Sequence, residues 1–182
     1  MKTHHQVKAL IVMAVFICAI TACNDTPGNT AVTASQSTSI DTINKPRLVQ
    51  PAADASLLLT AQNGAAIGPD IKYMPEWRAF GWFTAADRVE WDVDVKTAGE
   101  YEAFLEWSVS DEEAGKEFLL EAKDQKLIGT VGKSGSWETY KIEKVGVIKL
   151  DAGLQKISFR SNQHFDKGAI LDLREIKLVP VK

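Results

Sequence analysis

The chain has 182 residues, 45% of them hydrophobic, and carries 21 basic against 24 acidic side chains for a formal charge of −3. This composition excludes a disordered chain and leaves room for one ordinary domain plus an appendage. An acidic balance argues against a nucleic-acid or anionic-headgroup surface, and two cysteines are too few for a disulfide framework.

The appendage comes first. Met1 to Ala22 opens with Lys2 and Lys8, continues through the apolar run Ala9 to Ile20 and closes on small residues, the three-part layout of a secretory signal. The apolar run is too short to span a bilayer, which needs about 20 residues. Ile20-Thr21-Ala22-Cys23 resembles the lipobox of bacterial lipoproteins, in which the cysteine is lipidated and becomes the new N-terminus. The other reading of Cys23 is a chance thiol behind an ordinary Thr-x-Ala cleavage site. Because Cys18 leaves with the signal, that reading leaves one unpaired thiol in an oxidising compartment, and lipidation accounts for the count better. A lipid-anchored protein of the bacterial cell envelope, periplasm-facing or at the outer membrane, is the expectation. Loss of residues 1–22 removes Lys2 and Lys8 and no acid, so the mature charge is about −5 and His164 is the one histidine left.

Residues 23–55 are rich in Ser, Thr, Pro and small side chains and contain no aromatic. They read as a disordered tether, able to hold the domain on the order of 30 Å from the lipid. The domain is expected over residues 56–182. Val89, Trp91, Val93 and Val95 alternate with Glu90, Asp92 and Asp94. After Ala98-Gly99, Tyr101, Ala103, Leu105, Trp107 and Val109 alternate with Glu100, Glu102 and Glu106. This period of two predicts two half-buried strands whose apolar faces share one core, antiparallel to each other across the turn. Further short runs follow: Ile71 to Met74, Glu117 to Lys123, Lys126 to Val131, Thr139 to Leu150 with a break near Val145-Gly146, Gln155 to Arg160 and Ala169 to Val179. About nine strands, glycines in the gaps and no helical period long enough for a core helix predict an all-β antiparallel β-sandwich.

Enzymatic constellations are thin. A nucleophilic triad would rest on His164, which sits in the polar segment Ser161 to Gly168 without a Gly-x-Ser-x-Gly elbow. Zinc would want several His or Cys ligands. A carboxylate pair could serve a glycosidase, yet Glu90, Asp92, Asp94, Glu100, Glu102 and Glu106 fall on outward strand positions, where a solvated face explains them. The unusual feature is five tryptophans. Trp91 and Trp107 occupy inward strand positions and are expected in the core. Trp77, Trp82 and Trp137 stand beside turn signals, where an indole either stacks on the C–H face of a sugar ring or folds back to plug the end of a sandwich.

Several segments, in order, resemble carbohydrate-binding modules of families 6 and 35: Gly81-Trp82-Phe83-Thr84-Ala85-Ala86-Asp87-Arg88-Val89-Glu90-Trp91, then Val93-Asp94-Val95 and Ala98-Gly99-Glu100-Tyr101, then Gly135-Ser136-Trp137-Glu138-Thr139-Tyr140, then Leu150 to Ile157 and Leu171 to Ile176. The likeness covers Leu57 to Val181. It implies a jelly-roll β-sandwich that binds poly- or oligosaccharide without catalysis. By the same resemblance Trp82, or Phe83 with a shift of one residue, and Trp137 clamp a sugar ring, and Asn162, Gln163 or Asp166 supplies a polar contact. Family members open on Glu-x-Glu, whose carboxylates help hold a structural calcium with an aspartate of the last strand. Here Thr60-Ala61-Gln62 stands in that place and Asp172 matches the aspartate. Calcium wants six to eight oxygens, several charged, so no cofactor or metal is expected, and Asp172 is expected to pair with a base or with backbone N–H groups. The competing function is the same sandwich used as an interaction module for a protein partner in an envelope complex.

Overall fold

The computed structural model describes residues 44–182. The signal, Cys23 and the first part of the tether lie outside the described residues. Eleven strands follow one another: β1 (Leu57–Thr60), β2 (Ala65–Ile67), β3 (Lys72–Met74), β4 (Ala79–Gly81), β5 (Arg88–Val95), β6 (Gly99–Ser108), β7 (Glu117–Ala122), β8 (Gln125–Thr130), β9 (Lys141–Leu150), β10 (Gly153–Ser161) and β11 (Asp172–Pro180). The two beyond the expected nine come from the short segments β2 and β4, three residues each, too brief for an alternation to show.

The strands form two antiparallel sheets, one in the order β2-β5-β10-β7-β8 and one in the order β3-β4-β11-β6-β9, with β1 added along β11. The alternation that predicted β5 and β6 is the burial pattern observed, with Val89, Trp91, Val93 and Val95 facing Tyr101, Ala103, Leu105 and Trp107 inside one core. Their pairing differs from expectation. β5 bonds to β2 and β10, and β6 bonds to β11 and β9, so the turn at Ala98-Gly99 carries the chain from one sheet to the other. This crossing is a device of sandwiches: two strands with opposed apolar faces bury more surface across the core than side by side.

Trp91 and Trp107 are both core, as their positions predicted. The Trp91 indole N–H donates to the Thr60 carbonyl at 2.9 Å, so its one polar atom is satisfied. The break near Val145-Gly146 is a β-bulge. Ala103 pairs with Gly146 and Phe104 with Lys144, leaving Val145 as the extra residue. Gly146 sits at φ 150°, and a Cβ there would lie 2.6 Å from Leu127 Cδ1.

Residues 44–55, expected as tether, lie against the sandwich instead. Val49 is buried and makes a parallel bridge to Val93, donating its N–H to Asp92 and accepting from Asp94. The Asn44 side-chain amide donates to the Ala61 and Gly64 carbonyls. Their composition hid this because one buried valine and main-chain bonds, with no alternation, do the anchoring. Val49→Ala is expected to destabilise the domain by roughly 1.5–3 kcal/mol, the burial free energy of a valine. A chain beginning at residue 56 should melt lower than one beginning at residue 44, and equal melting temperatures would show the segment to be energetically idle.

Candidate functional site

The segment after β4 decides which aromatic group meets solvent. β4 is buried along its length, and its Phe80 belongs to the same core as Phe118 and Phe159. Trp82 adopts a left-handed backbone, φ 51°, a conformation that costs a bulky residue about 1–3 kcal/mol and persists where its surroundings enforce it. The reversal sends Phe83 inward, edge-on to Phe159 with ring centroids 5.9 Å apart, and leaves Trp82 57% exposed. Main-chain bonding fixes the reversal, since Ile170 N–H donates to the Phe83 carbonyl at 2.8 Å. Phe83 is therefore corrected from a ligand-contact candidate to a core residue: fully buried, it has no face to offer.

Trp82 and Trp137 line the same cavity, about 710 Å³, at the end of the sandwich where β4 and β6 finish and β11 begins. Trp77, Phe165 and Met74 complete its apolar wall, and Asp70, Glu138, Asp166, Lys167 and Asp172 bring charge to it. Trp137 is only partly buried and packs its remainder on the core. It thus plugs and is presented at once, joining the two roles that the sequence leaves as alternatives.

Buried polar groups hold these loops. Asp87, nearly inaccessible, accepts both the N–H and the hydroxyl of Thr84 at 2.7 Å and the N–H of Asp70 at 3.2 Å, so one carboxylate binds two wall segments together. Ser108 donates its hydroxyl to the Trp137 carbonyl at 2.7 Å, and Ser134 exchanges two 2.8 Å bonds with the Val109 backbone. Trp77 is held from behind. Its ring stacks on Tyr140 with centroids 6.1 Å apart, the Arg174 guanidinium lies 3.6 Å from the Tyr140 ring centroid, and Arg174 Nε donates to the Trp77 carbonyl at 3.0 Å. Arg174 is the unpaired residue of a bulge in β11, between Leu173 opposite Trp107 and Glu175 opposite Glu106. The bulge re-aims its side chain toward the loop, and Glu106 balances its charge in an ion pair.

Of the three polar candidates, the structure brings only Asp166 to the cavity. Asp166 is exposed and bonded to His164 at 2.9 Å. Asn162 donates to Glu117 at 3.0 Å, and the Gln163 carbonyl accepts from Ser161 at 2.7 Å. Neither lines the cavity; Asn162 ties the loop before β11 to β7, and Gln163 ties it to the end of β10. Phe165 and Asp172 are wall residues beyond the sequence candidates. An apolar ring inside an otherwise polar loop was the available signal for Phe165.

Asp172 differs from its expected role. Among the described residues its carboxyl has no base or N–H partner, and burial raises its pKa from 3.8 to about 7. It lies against Gly81, where an added Cβ would meet Met74 Sδ at 2.8 Å and Asp172 Oδ1 at 2.9 Å, so a larger residue there would have to displace both side chains. No group of three or more His, Cys, Asp or Glu side chains able to hold a metal gathers among the described residues. Asp172 and the Thr60 to Gln62 segment thus do not assemble the charged oxygen set that a calcium ion wants.

No protein-family model and no curated protein matches the sequence. Solved structures do match the fold. The C-terminal family 6 carbohydrate-binding module of a marine laminarinase from Zobellia galactanivorans superposes with a TM-score of 0.57 at 13% identity, covering 68% of this chain and 98% of that one. A family 6 module of lichenase 5A from Cellvibrio mixtus, solved with cellotriose, gives 0.54 at 12% identity over 69% and 97%. A family 35 module from Clostridium thermocellum gives 0.54 at 12% over 69% and 98%. An exo-β-1,3-galactanase from Phanerochaete chrysosporium also matches, at 0.55 and 18%, but this chain spans only 29% of its length. The fold is that of these β-sandwich modules, and the structures matched nearly end to end are carbohydrate-binding modules.

The raised Asp172 pKa has a definite sign in stability. Between about pH 4 and 7 the folded chain keeps a proton that the unfolded chain has released, so this group's contribution falls as pH rises through that window and is level above it. Asp172→Asn is expected to melt higher than the parent above pH 7, with the gap closing toward pH 4. Parallel melting curves across the range would refute the burial of an unpaired carboxyl.

Proposed function

We propose that this chain is a lipid-anchored protein of the bacterial cell envelope whose sandwich binds carbohydrate without cleaving it. The observation that carries the reading is the open cavity walled by Trp77, Trp82, Trp137 and Phe165, with Trp82 held outward by a left-handed backbone. Aromatic faces of this kind suit the C–H faces of pyranose rings, and the indole N–H groups and wall carboxylates suit the hydroxyls. The shared fold of the family 6 and family 35 modules supports the class of ligand, and the cellotriose complex of one of them shows a fold of this kind holding an oligosaccharide. Anchoring rests on Cys23 behind its lipobox-like segment.

Calorimetric titration against a panel of soluble glycans tests the binding. At least one is expected to bind, with Trp82→Ala and Trp137→Ala each weakening it about threefold to tenfold, the stacking contribution of one ring. No heat with any glycan, or binding untouched by both changes, rules the stacking mechanism out. The same glycans should release no reducing ends on prolonged incubation.

A second reading, an interaction module for an envelope protein partner, is favoured by a groove on the outer face of the six-stranded sheet. Phe104, Ile142 and Val179 line it, and Ile142 is 68% exposed. Cys23→Ala separates the anchoring claim from both readings, since it is expected to move the protein from the membrane fraction to the soluble fraction.

A further inference from the structure

The rings of the cavity wall are not all held in the same way. Trp137 and Phe165 pack part of their surface on the core, and Trp77 is stacked on Tyr140 with Arg174 against that ring. Trp82 is more than half exposed, so packing alone leaves its indole free to turn about χ1 and χ2. A wall ring in that state is ordered only when a ligand arrives, and the ordering cost is taken from the binding free energy. What meets it instead is Lys72. The Lys72 ammonium lies over the Trp82 ring, 5.4 Å from its centroid, within reach of a cation–π attraction.

The strands bring the two together. Lys72 stands directly opposite Gly81 in the β3–β4 pair, and Trp82 is the next residue of the chain. Gly81 sets no side chain beside the lysine, and the left-handed turn sends the indole outward within its reach. Among the described ion pairs no carboxylate engages the Lys72 ammonium, whereas Lys116, 5.0 Å over Phe165, is also bound by Glu113. Trp107 carries Lys141 at 4.5 Å as well, but burial already holds that ring in place. Trp82 lines the cavity and Lys72 does not, so the ammonium occupies ring surface that the cavity does not use. Resting on the carbohydrate reading above, we infer that Lys72 is a positioning residue of this site: without touching the ligand, its ammonium holds the Trp82 indole in its wall orientation before the ligand binds. An ammonium also draws on the negative π-face that attracts sugar C–H groups. The two effects have opposite signs in affinity, so the direction of the change on removing the charge decides between them.

NMR relaxation of the Trp82 indole N–H in the full chain reads the motion of the ring with no ligand present, and Trp82→Phe assigns its resonance. The order parameter is expected near the rigid value of about 0.85 in the parent and below about 0.6 in Lys72→Met. Lys72→Arg should restore it, because a guanidinium also stacks on an indole. The remaining indoles should not change. Calorimetric titration with the glycan that the panel identifies should show Lys72→Met weakened about twofold to tenfold, the ordering of one side chain, and Lys72→Arg close to the parent. All three proteins should melt together, since Lys72 is exposed on an edge strand. An indole already mobile in the parent, an order parameter unmoved by Lys72→Met or not restored by Lys72→Arg, or glycan binding as tight or tighter in Lys72→Met overturns the assignment and leaves carbohydrate binding standing. If no glycan binds the parent, the carbohydrate reading falls on its own, and the relaxation data still decide whether Lys72 holds the ring.

Discussion

The interior of the sandwich has room for one of two adjacent aromatic rings, and the architecture of the site follows from which one it takes. Phe83 closes on Phe159, which in turn stacks on Phe118 at 5.4 Å. An indole at the same place would have to bury a polar N–H in a cluster of rings with nothing to accept it, at a cost of about 1–3 kcal/mol. Excluding Trp82 from the core requires the chain to turn within one residue, hence the left-handed φ. The backbone strain and the exposed indole are one event. It also settles the one-residue ambiguity between Trp82 and Phe83, which a two-residue aromatic pair leaves open in any sequence reading.

With the rings presented, the loops that carry them must not collapse into the space between. Here buried polar side chains hold loop backbone, without disulfide or metal cluster among the described residues. Asp87 joins the Thr84 and Asp70 segments, Ser108 and Ser134 hold the Trp137 loop, Ser161 and Glu117 hold the loop before β11, and Arg174 grips the Trp77 turn. All but the side-chain bond between Asn162 and Glu117 engage a main-chain group that would otherwise go without a partner. Together they leave the cavity formed before any ligand arrives, which lowers the ordering cost that weak binding sites cannot bear.

The long strands were legible because alternation is a local record of burial. β5 and β6 carry it over eight and ten residues, and every inward position predicted there is buried. What alternation does not encode is the neighbour: β5 and β6 look the same whether they pair or face each other across a core, and the expected antiparallel turn became a crossing between sheets. The short strands β2 and β4 fell below the length at which a period can be read. Residues 44–55 escape a reading by composition for the opposite reason, since composition reports how much apolar surface a segment owns and says nothing of main-chain bonds such as those of Val49 to β5. At the candidate site, Trp82 and Trp137, the tryptophans beside turn signals, both line the cavity. Asn162, Gln163 and Asp166 are consecutive or nearly so, and only their contacts, a long-range one from Asn162 to Glu117 and a local one from Ser161 to Gln163, distinguish the two that brace the loop from the one that lines the cavity.

Asp172 gives the site a cost that the fold does not require. It opens β11 at the cavity beside Met74, and an asparagine of the same size would spare the desolvation of an unpartnered carboxyl. Structural carboxylates elsewhere in the chain behave otherwise: Asp87 is more deeply buried yet accepts three hydrogen bonds, and Asp54, exposed, is held below the usual carboxylate range chiefly by the Ser56 hydroxyl and N–H. The distinction is therefore one of company rather than depth. A carboxyl that is surrounded by aromatic walls, lacks a partner and keeps a pKa near neutrality is destabilising in the free protein, and local costs of this type concentrate where a ligand later supplies the missing contact. Trp82 is a different case, since its backbone strain is offset within the domain by the burial of Phe83; Asp172 is the wall residue whose cost packing does not offset.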